Sequence, residues 1–171
     1  MYAKLKIGYD SGTTNQSNKS IAIGYQAGKT NQKENNVAIG FQAGETNQES
    51  NSIAIGSFAG KTTQQEYSIA IGAVAGLQRQ QEYSIALGYS AGQTDQSNCS
   101  IAIGYNAGEN FQDMSAIAIG TNAGQTNQSE RGIAIGTNSG TNTQGIGAIA
   151  IGSQAAQQYQ SNNSIAIGTE A

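Results

Sequence analysis

Proline, tryptophan and histidine are missing from this chain altogether, and cysteine occurs once, at Cys99. A single cysteine excludes an intrachain disulfide, and its place at a predicted turn argues against a structural zinc site. Charge is also sparse. Only 11% of residues are charged, and the lysines and arginines are scattered, so there is no basic stripe to track a phosphate backbone and nucleic acid is not an expected partner. No apolar run approaches the roughly 20 residues that cross a bilayer, so membrane insertion is not expected. The opening Met1-Tyr2-Ala3-Lys4-Leu5-Lys6 enters a repeat too soon for a signal peptide, which predicts either a chain not secreted by that route or a mature piece.

Acid–base catalysis has little to work with. Besides the absence of histidine, only Asp10, Asp95 and Asp113 are aspartates among the eleven acids. Glu34, Glu66, Glu82 and Glu130 share one repeat position, but at a bend they read as a solvated edge rather than as paired carboxylates in a pocket. The Gly/Asp calcium pattern of some solenoids is absent. The chain is therefore expected not to be an enzyme and to have no cofactor or metal site.

What the sequence does have is a repeat of sixteen residues. Its fixed point is Ser20-Ile21-Ala22-Ile23-Gly24, and with that glycine as position 0 the series runs from Gly8, Gly24 and Gly40 to Gly152 and Gly168 without insertion or deletion. Large aliphatics occupy positions −3 and −1, as in Ile53 and Ile55. That spacing is the strand period and predicts that both point to one face, the inside of a coil. Alanine lies between them in every copy after the first: Ala22, Ala38, Ala54, Ala70, Ala86, Ala102, Ala118, Ala134, Ala150 and Ala166. A surface strand would normally be polar there, so these ten predict an outer face covered by another subunit. After the glycine a small pair such as Ala27-Gly28 or Ala43-Gly44 predicts a second, shorter strand leading to a bend. Position +8 is always glutamine: Gln16, Gln32, Gln48, Gln64, Gln80, Gln96, Gln112, Gln128, Gln144 and Gln160. An amide carries both donor and acceptor, so stacked copies predict a ladder.

These features predict an all-β chain: a parallel β-solenoid of about ten 16-residue coils with two short strands each, one domain over 1–171. Coils stacked about 4.8 Å apart would give a rod of roughly 48 Å. The first copy, 4–16, is atypical, with Lys4 and Lys6 discouraging edge pairing, and the last copy is incomplete. An uncapped final strand predicts an end-to-end contact in which Ile165 and Ile167 pair with Leu5 and Ile7 of the next molecule.

The stretches Asn51-Ser52-Ile53-Ala54-Ile55-Gly56 and Asn163-Ser164-Ile165-Ala166-Ile167-Gly168 resemble the head repeat of trimeric autotransporter adhesins, the YadA-like head, and related viral or phage fibre repeats. The resemblance covers essentially the whole chain. It implies a left-handed parallel β-roll assembled as a trimer, in a family whose coils are commonly shorter, at about fourteen residues. The Thr-Asn-Gln segment, as in Thr30-Asn31-Gln32, also departs from the adhesin pattern. Ile23-Gly24-Tyr25-Gln26-Ala27-Gly28 in turn resembles one hexapeptide unit of the left-handed β-helix acyltransferases, but their coils take three such units and their catalytic histidine has no counterpart here.

The expectation is a structural and adhesive fibre module on a cell or virion surface, outside the cell, a homo-oligomer (trimer or head-to-tail filament) making multivalent contacts with a host-surface glycan or protein. The alternative is an ice-binding or other surface-recognition solenoid, using the row Thr14, Thr30, Thr46, Thr62, Thr94 and Thr126 with its Asn and Gln neighbours. A row of rings at +1, Tyr9, Tyr25, Phe41, Tyr89 and Tyr105, predicts stacking between coils, with sugar stacking or subunit packing as its other uses.

Overall fold

The structure of the chain, a computed structural model, describes residues 3–171; of the predicted domain 1–171, Met1 and Tyr2 lie outside the described residues. All regular structure among the described residues is three-residue strand. The Ile-Ala-Ile segments, from Leu5–Ile7 and Ile21–Ile23 to Ile165–Ile167, form an 11-stranded parallel sheet. The Thr-Asn-Gln segments, from Thr30–Gln32 to Gln158–Gln160, form a 9-stranded one. Each strand pairs with its equivalent one repeat away, as in Ile53↔Ile69, Ala54↔Ala70 and Gln64↔Gln80. The predicted β-solenoid with two short strands per coil is the observed fold.

The second strand lies elsewhere than predicted. Residues after the repeat glycine form a turn, and the strand comes later, at Thr-Asn-Gln. Backbone angles give the reason. In the coil beginning at Gly56, positive φ occurs at Gly56 (131°), Phe58 (60°), Gly60 (51°), Thr63 (53°) and Tyr67 (57°), and other coils follow the same pattern. Frequent left-handed residues bend the chain too sharply for a strand to run straight from the glycine.

Two of these corners require glycine. At Gly56 a Cβ would stand 2.5 Å from the carbonyl oxygen of Gly72 in the next coil, and at Gly60 it would stand 2.7 Å from Oε1 of Gln64. The other corners favour asparagine, which tolerates this conformation best among residues with a side chain. Asn15, Asn31 and Asn47 fill one such corner and Asn35 and Asn51 another, and they bond coil to coil. Asn15 Nδ2 donates to Asn31 Oδ1 at 3.0 Å, Asn31 to Asn47 at 2.9 Å and Asn35 to Asn51 at 3.1 Å.

The interior reverses two sequence expectations. Among the described residues every fully buried apolar side chain is an alanine, and the isoleucines of the same strands lie on the outer face, most of them half-buried by their neighbours above and below and Ile71 and Ile119 exposed. Ala22, Ala38, Ala54, Ala70, Ala86, Ala102, Ala118, Ala134 and Ala150 are shut off from solvent within a single chain, so they are core rather than an oligomer interface; Ala166, in the last coil, is half-buried. The lumen is too narrow for a branched side chain. A methyl added at Gly60 would come within 3.3 Å of the Ala54 methyl across the coil. Alternation along the strand then sends −3 and −1 outward once −2 points in.

Serines at −4 complete the lumen. Ser52 is buried, and its Oγ donates to the Glu49 carbonyl at 2.8 Å. Asn36 replaces serine in one coil, where its Nδ2 donates to the Gln48 carbonyl and its Oδ1 accepts from the Ser52 amide, each at 2.9 Å.

Gly56→Ala is expected to lower stability by several kcal/mol, because the clash is with backbone that cannot move without unstacking the coils. Val74, a β-branched residue at φ 54°, predicts the opposite. Val74→Asn should gain about 1 kcal/mol, and urea denaturation of the two variants beside the parent checks both signs.

Candidate functional site

The glutamines at +8 end the Thr-Asn-Gln strands and turn into the lumen, because the left-handed residue before each one breaks the strand's alternation. From Gln32 to Gln144 they are buried. Each amide nitrogen reaches across the lumen to the other sheet. Gln80 Nε2 donates to the Ile69 carbonyl of its own coil at 2.7 Å and to Oε1 of Gln96 in the next coil at 3.2 Å. The same bond to the following glutamine repeats at 3.0–3.3 Å from Gln32 through Gln160. Gln16 stands outside the series. Its amide donates to the Ser20 carbonyl, and Oε1 of both Gln16 and Gln32 has no hydrogen-bond partner. The predicted ladder is therefore a single file of amides inside the rod that also ties one sheet to the other.

The outer face of the 11-stranded sheet is a stripe of aliphatics, two to a coil, which the prediction had placed indoors. Leu5, Ile7, Ile165 and Ile167, predicted to meet end to end, occupy the two outermost strands of that sheet and are its most exposed members. Rings stack beside the stripe: Tyr9 on Tyr25 at 5.7 Å between centroids, Tyr25 on Phe41 at 5.1 Å, and Tyr89 on Tyr105 at 5.3 Å. A second pair, Tyr67 on Tyr83 at 5.1 Å, occupies the corner where other coils carry asparagine.

The threonine row lies at the edge of the 9-stranded sheet, with Thr30, Thr46 and Thr62 half-buried and Gln78, Asn110, Asn142 and Gln158 interrupting it. Glu34, Glu66, Glu82 and Glu130 fall on a bend and are half- to fully exposed. Among the described residues no group of three or more Cys, Asp or Glu side chains is placed to hold a metal ion. Cys99 is a free, exposed thiol at a left-handed corner. Ion pairs link equivalent positions of adjacent coils, Lys33 to Glu49 and Arg79 to Asp95. Hydrogen bonding to the Glu49 carboxylate, and then its charge, holds the Lys33 ammonium above its usual value, although both groups face solvent.

Fold and surface together define a parallel β-solenoid repeat protein. Compared with known proteins, the chain matches no family model, no curated protein and no solved structure.

Gln80→Leu removes one of the acceptors of the Gln64 amide, the donor to Gln96 Oε1 and the tie to the Ile69 carbonyl, and should cost about 2–4 kcal/mol. Gln80→Glu is more telling. A protonated carboxyl can accept from Gln64 and donate to Gln96, whereas a buried carboxylate is penalised, so its folded pKa lies above the unfolded value of about 4.3. This variant should be most stable below about pH 4 and weaken as pH rises. Equal urea midpoints at pH 4 and pH 7 would sink the prediction.

Proposed function

We propose that this chain is a rigid structural and adhesive module of a cell-surface or virion appendage, built as a closed homo-oligomer of parallel rods. The observation that carries the reading is the aliphatic stripe. Along a rod whose other faces mix amides, hydroxyls and charges with scattered rings, Ile53, Ile55, Ile69, Ile71, Ile85 and Leu87, with their equivalents in other coils, point outward in register. Eleven strands at about 4.8 Å and three residues at about 3.3 Å make a surface of about 500 Å², as large as the biggest apolar patches of ordinary soluble monomers. A straight stripe parallel to the rod axis is buried evenly when copies stand side by side around a common axis. Three copies is the arrangement implied by the adhesin-like repeat, now with the isoleucines rather than the alanines at the contact. The polar surface left outside would repeat its features coil by coil, which suits weak contacts multiplied along a rod.

Analytical ultracentrifugation at micromolar concentration tests this. The parent chain should sediment as a small closed oligomer. The triple variant Ile55→Thr, Ile71→Thr, Leu87→Thr should associate at least tenfold more weakly and keep its β-sheet circular dichroism, since threonine suits a strand and its side chains face out. A monomeric parent rules the assembly out, and an open-ended series of masses points to a filament instead.

A further inference from the structure

The polar sheet carries several shallow hollows, and one of them brings an aromatic ring together with carboxylates. A hollow of about 430 Å³ lies between the +7 and +9 rows, over the backbone of Gln112 and Gln128, and is lined by Asp95, Phe111, Asp113 and Asn127 with Gln81, Ser97 and Ser129 at its margins. Its origin is legible in the repeat. Position +9 carries the long Lys33, Glu49, Gln65 and Gln81 in four successive coils, whereas from Ser97 onward it is Ser97, Asp113, Ser129, Gly145 and Ser161, so the wall is low there.

Phe111 is out of place in its row. Position +7 is polar in eight copies, as in Asn15, Asn31, Asn47 and Asn127, with Tyr159 its other aromatic, and a left-handed corner (φ 59° at Phe111) does not favour an aromatic. The residue is 54% exposed. Among the described residues, Phe111 and Tyr159 are the aromatic residues with no ring neighbour, whereas each of the others lies against another ring. Phe111 alone of the two lines this hollow. An open aromatic face that neither the core nor a ring stack uses is a platform for a flat apolar surface brought by a ligand.

The groups around it narrow the ligand's chemistry. Asp113 is exposed; one of its oxygens accepts from the Met114 amide at 2.7 Å, and the second is left to accept from hydroxyls. Asp95 is held in a two-point pair with Arg79. Asn127, Gln81 and the two serine hydroxyls add donors and acceptors on both sides of the ring. A ring platform flanked by a carboxylate, amides and hydroxyls suits a molecule with one C–H face and an edge of hydroxyl groups. No lysine or arginine lines the hollow itself, and Arg79 at its edge is already paired with Asp95, so with Asp113 added the charge around the ring does not favour an anionic ligand.

We propose that the Phe111 hollow binds a neutral saccharide, one pyranose ring lying on Phe111 with its hydroxyls donating to Asp113. This gives the adhesive module a ligand class and rests on that reading, but the hollow is on the sheet across the lumen from the aliphatic stripe and each chain carries it whole. Saturation-transfer difference NMR tests it, with glucose-, galactose-, mannose- and N-acetylglucosamine-terminated trisaccharides and one sialylated trisaccharide as probes. At least one neutral probe should receive saturation on the C–H protons of one ring face. Phe111→Asn installs the residue that other coils carry at this corner, so the fold is kept, and it should weaken binding at least tenfold; Asp113→Ser should weaken it severalfold. Sedimentation of both variants should match the parent, which separates failure of this site from failure of the assembly. Absence of transfer to every neutral probe at millimolar concentration, preference for the sialylated probe, or undiminished binding by Phe111→Asn overturns the proposal.

Discussion

A primary amide buried in a lumen of methyl groups is the interaction on which this structure depends. Alanines at −2 and +3 contribute little apolar area each, so the coil cannot be held as an ordinary core is held. The glutamine supplies what they lack. It spans from one sheet to the other, as Gln80 does to the Ile69 carbonyl, and it joins each coil to the next through Gln96. Left unpaired in so dry a site, the same amide would be strongly destabilising, and that penalty is what enforces the register. Polar specificity here does the work that shape complementarity does in a larger core.

The narrow lumen and the tight corners are one constraint seen from two sides. A coil of sixteen residues closes only by bending repeatedly through left-handed conformations, and such bends leave room inside for nothing larger than methyls, a serine and an extended amide. Gly56 and Gly60 are needed because a neighbouring coil and the glutamine itself fill the space a Cβ would take. Residues such as Thr63 and Val74 hold the same backbone at an energetic disadvantage, and only the stack on either side keeps them there.

The repeat length, the parallel stacking and the amide ladder could all be read from the chain, because each follows from periodicity alone. The direction of the side chains could not be read that way. Hydrophobicity and the strand period put Ile21 and Ile23 in the interior, yet neither measures the width of the space. The better signal was constancy. Val37 and Leu87 replace isoleucine in the outward positions, whereas the alanine between them never varies after the first copy and the glutamine never varies at all. A position that accepts only a methyl is a position without room. The second strand was misplaced for a related reason: Ala27-Gly28 looks like a tight strand packing until the positive φ at Gly28 shows it to be a corner. The surface hollow depends on position +9 changing from long side chains up to Gln81 to short ones from Ser97 onward, a local contrast that a search for periodicity discards.

In every bond of the ladder the nitrogen belongs to the earlier coil and the oxygen to the later one. Their dipoles therefore add along the rod, as peptide dipoles add along a helix, whereas the backbone amides of the strands point alternately to the coil before and the coil after and largely cancel, as Ile21 N–H to Asn36 and Gly24 N–H to Ile7 show. Enclosed by alanine, this field is poorly screened by salt. The rod is thus a polar filament in the electrical sense, with unlike ends fixed by the direction of synthesis and beyond the reach of any exchange of surface charge.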